Sequence, residues 1–257
     1  MGVYPLVFVC MGCRATRRNG LILLLAQRSL VSRFCLHILF MALEIIAATA
    51  AFIEHKFANE GSGHDWAHIR RVWLMARRLA AAAPEADAEV TELAALLHDI
   101  ADWKFHGGDY EAGPRAARTW LSSQGADDRL VTRVETIIRE VSFKGLGVET
   151  PVSSIEAALV QDADRLDAIG AIGIARAFAY GGHKGRPLHD PAIAPVAHNS
   201  FASYQQSTAP TLNHFYEKLL HLKDRMHTAP ARQIAQERQD FMETYVARFL
   251  AEWEGVD

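Results

Sequence analysis

Apolar residues recur at intervals of three and four from Met41 to the C-terminus, and almost nothing there alternates with the period of two that is typical of strands. The first such stripe consists of Ile45, Ile46, Thr49, Phe52 and Ile53. A second stripe runs from Ile69 to Ala80 and a third from Val90 to Ile100. This spacing places apolar side chains on one face of an α-helix. The pattern therefore predicts an all-α protein.

The remainder of the chain continues the helical pattern with one interruption. Further helices are predicted at about 110–121, 129–141, 153–166, 171–180, 212–227 and 231–253. Between them, Gly181–Pro210 contains Pro187, Pro191 and Pro195 and is predicted to be irregular. An irregular connection of this length is either a functional lid or binding loop or a passive surface excursion, and both interpretations stay open.

The first 40 residues differ in composition from the rest. They contain five arginines and all three cysteines, with no lysine and no acidic residue. The whole chain has 27 basic and 30 acidic residues, so 22 basic and 30 acidic residues remain from Met41 onward, a net charge of −8. We interpret residues 1–40 as a non-native extension from an upstream start codon or as a targeting segment. The single functional domain is assigned to residues 41–257.

The charge of this domain restricts its partners. An acidic domain lacks the basic field that counterion-driven nucleic-acid binding requires, so no nucleic-acid partner is predicted. The apolar stretches of residues 1–40 are too short and too interrupted by arginine to span a bilayer. We expect a cytoplasmic protein, a monomer or a homodimer, without a membrane partner. A local group of basic side chains can still bind a small phosphorylated substrate.

Potential metal ligands occur at three separate helix ends. His68 is near the start of the second helix, His98-Asp99 ends the third, and Asp164 lies at the end of a later helix. Asp162 and Asp167 flank Asp164 at an end where the helix dipole also disfavours negative charge, so a compensating cation is favourable. The His-Asp doublet alone, or the aspartates alone, would be interpreted as a solvated helix end or a surface acidic patch, and only their combination favours a metal site.

The order His68, His98-Asp99 and Asp164 resembles the H…HD…D pattern of the HD-domain superfamily of helical metal-dependent phosphohydrolases. The segments 63–72, 98–104, 142–144 and 162–170 resemble a bacterial branch of predicted phosphohydrolases, some of which hydrolyse nucleoside triphosphates to the monophosphate and pyrophosphate. The resemblance extends from about Met41 to near the C-terminus and implies a single HD-domain helical bundle. Since it excludes residues 1–40, it supports Met41 as the start.

The resemblance also implies the metal ligands, which are His68, His98, Asp99 and Asp164, with Asp162 as the alternative to Asp164. Only His106 lies between Asp99 and Asp164, whereas di-metal members carry more histidines there, so one divalent metal ion is expected. Mn²⁺ is favoured, and Mg²⁺, Fe²⁺, Co²⁺ and Ni²⁺ are the alternatives because mixed imidazole and carboxylate donors suit all of them.

Catalytic roles are predicted for Asp102, His64 and Asp65. Asp102 resembles the acid that positions the attacking water in related nucleotidases, and the alternative is a surface acid at a helix end. His64 and Asp65 either support the site or, in the case of Asp65, cap the second helix. Cationic side chains in or beside the motifs are the candidates for binding substrate phosphate, although each fits a surface charge as well: Arg71, Lys104, Lys144 and Arg165.

Three functions are compatible with these motifs. The first is metal-dependent hydrolysis of a nucleoside triphosphate with release of pyrophosphate. The second is a nucleotide monophosphatase or phosphodiesterase. The third is a non-catalytic sensor that binds a metal ion and a nucleotide, which the completeness of the motifs disfavours.

Removal of residues 1–40 tests the domain assignment. Because the helical pattern and every motif lie downstream, residues 41–257 should fold with unchanged helical content and retain full metal-dependent hydrolysis. Circular dichroism and turnover of the truncated and full-length proteins provide the comparison. A large loss of solubility or activity would show that residues 1–40 belong to the fold.

Overall fold

The computed structural model describes residues 41–58, 65–101, 106–141, 152–196 and 208–256, and every regular element in these ranges is helical. The all-α prediction is therefore confirmed. The α-helices are α1 (41–56), α2 (Trp66–Ala80), α3 (Ala88–Leu97), α4 (Ala112–Ser123), α5 (Asp128–Val141), α6 (Ile155–Asp167), α7 (Gly170–His183), α8 (Asn213–Glu217) and α9 (Ala229–Glu254). The contacts of the chain divide it after Glu44, and Ile45–Asp257 forms one compact unit. In the described ranges no helix is both long and apolar enough to cross a membrane.

Helix α6 lies at the centre of the bundle and packs against α2, α3 and α5. Ser154 caps its N-terminus, and the Ser154 side chain accepts a hydrogen bond of 3.1 Å from the Ala157 amide. Nearly all of its side chains are buried, including the polar side chains of Gln161, Asp162 and Asp167. Because burial of a polar group is costly without partners, each of these side chains must be hydrogen bonded within the protein. A functional site is therefore expected at the polar end of α6.

One predicted helix is wrong. The segment 212–227 is not continuous, because Lys218 departs from helical geometry with φ −146° and ψ −56°. The short helix α8 precedes it, and two single 3₁₀ turns, Leu219–His221 and Lys223–Arg225, follow. Leu219, Leu222 and Met226 are still buried, so the apolar spacing is preserved while the backbone changes. A spacing of three is shared by 3₁₀ and α geometry, and the sequence pattern could not separate them.

The junction between α6 and α7 requires glycine at position 170. Gly170 has φ +77°, and a Cβ placed there would approach Cγ of Arg238 to 2.9 Å. Arg238, on α9, donates a hydrogen bond to the Leu166 carbonyl at the end of α6. The long helix α9 thus closes over the turn that follows the motif 162–167.

Gly170→Ala should lower the free energy of unfolding by roughly 1 to 3 kcal/mol. An alanine in this left-handed backbone conformation is strained, and its Cβ would displace the Arg238 side chain. Urea unfolding monitored by circular dichroism measures the change. Gly182→Ala is the matched control, since Gly182 lies in α7 without a positive φ and no described atom would lie within 4 Å of a Cβ added there. Equal stability of the two variants would contradict this account.

Candidate metal centre

His68 is placed at the start of α2 by the residue that caps this helix. The Asp65 carboxylate accepts a hydrogen bond of 2.8 Å from the His68 amide, as expected of an N-cap aspartate. The cap fixes the first turn of α2, and the His68 side chain in this turn is buried. The capping interpretation of Asp65 is confirmed by this contact, and its catalytic role stays a prediction.

His98 and Asp99 follow directly at the end of α3. The His98 ring is buried, and its Nδ1 lies 2.8 Å from the Ala95 carbonyl oxygen. Because a carbonyl oxygen can only accept, Nδ1 carries the proton, and in the neutral ring Nε2 keeps its lone pair. This Nε2 makes no well-formed hydrogen bond with any residue that the structure describes. Oδ2 of Asp99 lies 3.4 Å from His98 Nε2 and 3.5 Å from His68 Nε2.

Asp164 approaches the same point from α6. Its Oδ1 lies 3.5 Å from His68 Nε2 and 4.0 Å from His98 Nε2. Asp162, the alternative ligand, is on the opposite side of the helix because two residues correspond to about 200° of rotation. The Asp162 carboxylate accepts from the amides of His227 and Thr228 at 2.8 and 2.9 Å, at the start of α9. The structure therefore brings Asp164, and not Asp162, to the histidines.

The donor atoms of His68, His98 and Asp164 all lie within 4.8 Å of one another, with Asp99 beside them. Metal–ligand bonds of about 2.0 to 2.2 Å place the donors around one ion roughly 3 to 4 Å apart. The four distances between imidazole nitrogens and carboxylate oxygens, 3.4 to 4.0 Å, lie in this range. Together with the buried Nε2 of His98, they fit a divalent metal ion at this position.

The charges of the cluster also favour a cation. Burial lowers the pKa of His98, but the carboxylates of Asp99 and Asp164 outweigh it and raise the pKa to about 9. Burial likewise opposes a charge on His68, yet Asp167, Asp99 and Asp164 raise its pKa above the usual value. The carboxylates thus attract positive charge to this point, as protons on the imidazoles or as a metal ion that displaces them.

Asp167 also belongs to this site, although no role was predicted for it from the sequence. Its Oδ2 lies 2.7 Å from His68 Nδ1, and it accepts further hydrogen bonds from Arg71 and Arg176. Burial alone would raise the pKa of Asp167, but the hydrogen bonds from His68 and Arg71 hold it well below its usual range. The signal in the sequence was its spacing of three from Asp164, which puts both acids on one face of α6.

The predicted substrate-binding residues differ in their surroundings. Arg71 forms a bidentate pair with Asp167, with Nε and Nη2 at 2.6 and 3.0 Å from the carboxylate oxygens. Arg165 is buried, and its guanidinium donates to Gln161 Oε1 at 2.7 Å and to the Arg225 carbonyl. Phosphate would have to displace these protein partners to reach Arg165. Four predicted residues lie outside the described ranges and stay predictions: His64, Asp102, Lys104 and Lys144.

Two variants on one helix test the assignment of Asp164. Asp164→Asn should abolish stoichiometric Mn²⁺ binding because it removes a ligand charge. Asp162→Asn should keep the metal and lower the free energy of unfolding by about 1 to 3 kcal/mol, since it impairs buried hydrogen bonds to the start of α9. Isothermal titration calorimetry and urea unfolding separate the two effects. The reverse pattern would place the ligand at Asp162.

A second pair of variants tests the His-Asp doublet. His98→Ala and Asp99→Ala should each lose the bound metal and the hydrolytic activity together, because each removes a donor from the cluster. Metal content after dialysis, measured by inductively coupled plasma spectrometry, reports the first loss. Wild-type metal content in either variant would remove that residue from the ligand set.

Comparison with known proteins agrees with this geometry. A family model described as HD domain matches residues 65–169. YpgQ of Bacillus subtilis (strain 168) is 38% identical over 217 residues, which are 80% of this chain and 92% of YpgQ. The crystal structure of an HD-superfamily hydrolase from Bacillus thuringiensis has a TM-score of 0.66 at 43% identity and covers 83% of this chain and 98% of its own.

The crystal structure of B. subtilis YpgQ in complex with ADP has a TM-score of 0.62 at 32% identity, over 82% of this chain and all of YpgQ. Similarity of this extent covers the bundle and the whole of the motif set from His68 to Asp164. The chain therefore belongs to the HD-domain superfamily of phosphohydrolases.

Proposed function

We propose that this protein is a metal-dependent hydrolase that converts a nucleoside triphosphate to the monophosphate and pyrophosphate. The observation that carries the proposal is the convergence of two imidazoles and two carboxylates from α2, the end of α3 and α6 on one point. Such a donor set suits a divalent ion with positions left for water and a phosphate oxygen. The ADP complex of the relative YpgQ supports a nucleotide as the substrate.

We propose a single metal ion, with Mn²⁺ favoured. Among the described residues, one group of histidine and acidic side chains has the spacing of a metal site, and it is the group of His68, His98 and Asp164. A bound divalent ion supplies two effects, a lower pKa of its water and polarisation of the phosphorus centre. The proposal includes a cytoplasmic enzyme that acts on a small molecule, as a monomer or a homodimer.

The side chains of the protein supply the remaining chemistry. Asp102 is proposed to orient the attacking water and accept its proton, and Lys144 to bind a phosphate group of the substrate. Arg71 is proposed as a second phosphate contact, because its Nη1 makes no hydrogen bond with the described residues while Nε and Nη2 are held by Asp167. Its side chain is 32% exposed, so an anion can reach it.

A metal-by-substrate panel tests the proposed reaction. The protein is incubated with Mn²⁺, Mg²⁺, Co²⁺ or Ni²⁺ and with ribo- and deoxyribonucleoside triphosphates, diphosphates and monophosphates, and the products are separated by ion exchange. We expect equal amounts of nucleoside monophosphate and pyrophosphate from a triphosphate. Release of orthophosphate from a monophosphate would identify a nucleotidase instead. Metal and nucleotide binding without turnover would identify a sensor.

The role of Asp102 has its own test. Asp102→Asn should keep metal and substrate binding near the wild-type values and slow turnover by roughly 10²- to 10⁴-fold, the usual contribution of a general acid or base. Lys144→Ala should raise KM, because its charge meets the ground-state phosphate as well. Steady-state kinetics distinguish the two patterns. Wild-type turnover in Asp102→Asn would leave Asp102 without a catalytic role.

A further inference from the structure

We propose that Asp167 is a positioning residue that holds both halves of the site, His68 for the metal ion and Arg71 for a phosphate group of the substrate. The inference rests on the metal site and the nucleotide substrate proposed above and adds a role for a residue outside the H…HD…D pattern. It predicts that metal binding and phosphate binding weaken together when this one carboxylate changes.

The metal-binding part of the inference concerns the His68 imidazole, which lies between Asp167 on one side and Asp99 and Asp164 on the other. Asp167 Oδ2 is 2.7 Å from Nδ1 on one side, and the oxygens of Asp99 and Asp164 are 3.5 Å from Nε2 on the other. An ionised Asp167 can only accept hydrogen bonds, so it places the proton on Nδ1 and directs the lone pair of Nε2 to the metal position. His98 achieves the same orientation by an independent contact, the Ala95 carbonyl.

The second half concerns Arg71, three residues after His68 and so on the same face of α2. Asp167 binds its Nε and Nη2 in a fork, which fixes the plane of the guanidinium and leaves Nη1 directed away from the carboxylate. A cation that is both fixed and one-third exposed is suited to a phosphate oxygen, because little side-chain entropy is lost on binding.

Asp167 also joins three helices. It ends α6, contacts two residues of α2, and accepts a hydrogen bond of 2.6 Å at Oδ2 from Arg176 of α7. The carboxylate is only 6% exposed, so these contacts are made away from water, where hydrogen bonds between charged groups are strongest. Support from α7 keeps the carboxylate in place when the contacts to α2 change.

The test compares Asp167→Asn with Glu135→Gln. Glu135 is a matched control because it is also 6% exposed and pairs with both Nε and Nη2 of an arginine, Arg118, at 2.9 and 2.5 Å, yet forms no hydrogen bond or ion pair with His68 or His98. Affinity for Mn²⁺ is measured by isothermal titration calorimetry. Asp167→Asn should lower it by roughly 10- to 100-fold, the usual effect of losing support for a metal-binding histidine, and Glu135→Gln should leave it at the wild-type value.

Binding of a fluorescent ADP analogue in the presence of Mg²⁺ distinguishes positioning from charge. If charge alone mattered, removing a negative carboxylate would strengthen binding of the anionic nucleotide. Positioning of Arg71 predicts the opposite sign, a weaker affinity in Asp167→Asn. Arg71→Gln should weaken ADP binding while Mn²⁺ affinity stays near wild type, and it serves as the second variant if Asp167→Asn does not fold.

Proton NMR of the Zn²⁺-loaded protein gives a signature that a change in stability alone would not produce. The Nδ1 protons of His68 and His98 should both resonate far downfield because each is held in a buried hydrogen bond. In Asp167→Asn the His68 signal should move upfield as the charge-assisted bond becomes neutral, and the His98 signal should stay.

The readouts separate failure of this inference from failure of the proposed function. Mn²⁺ affinity equal to that of Glu135→Gln, with an unchanged His68 resonance, would overturn the role of Asp167 even in an active enzyme. A wild-type protein that binds Mn²⁺ but neither binds ADP nor hydrolyses nucleotides would refute the proposed substrate and with it the phosphate half. In that case the Mn²⁺ affinities and the NMR spectra still test whether Asp167 orients His68 for the metal ion.

Discussion

The structure depends on an accumulation of negative charge beside two buried imidazoles. Asp99 and Asp164 both lie within about 4 Å of His98 Nε2, and burial alone would discharge the ring. The carboxylates reverse that tendency, so the cluster favours positive charge at its centre. Protons on the imidazoles supply this charge in the metal-free protein, and a divalent cation that displaces them supplies it in the metal-bound protein. A metal site needs this exchange.

The three aspartates of α6 have three different surroundings. Asp162 supports the start of α9, Asp164 faces the histidines, and Asp167 accepts from His68 Nδ1. The rotation of 100° per residue separates the first from the other two and places the last pair on one face. The acids that the sequence presents as one crowded helix end are therefore stabilised separately, two by donors from neighbouring elements and one by the cluster itself.

The sequence predicted those parts of the molecule that local spacing controls. The helices and the approach of His68, His98 and Asp164 follow from apolar periodicity and from the motif. The break at Lys218 was missed because apolar spacing of three fits two backbone geometries. The contacts of Asp167 with α2 and of Arg165 with the Arg225 carbonyl were missed because these partners lie 60 or more residues away in the chain, and which groups meet depends on how the elements pack.

The central claim is that the cluster of His68, His98 and Asp164, with Asp99 beside it, holds one divalent ion. Anomalous scattering from crystals grown with Mn²⁺ tests it most directly. The account predicts a single anomalous peak about 2.0 to 2.2 Å from Nε2 of His68, Nε2 of His98 and a carboxylate oxygen of Asp164. A peak at another position, two peaks within this cluster, or no peak at a saturating Mn²⁺ concentration would contradict it.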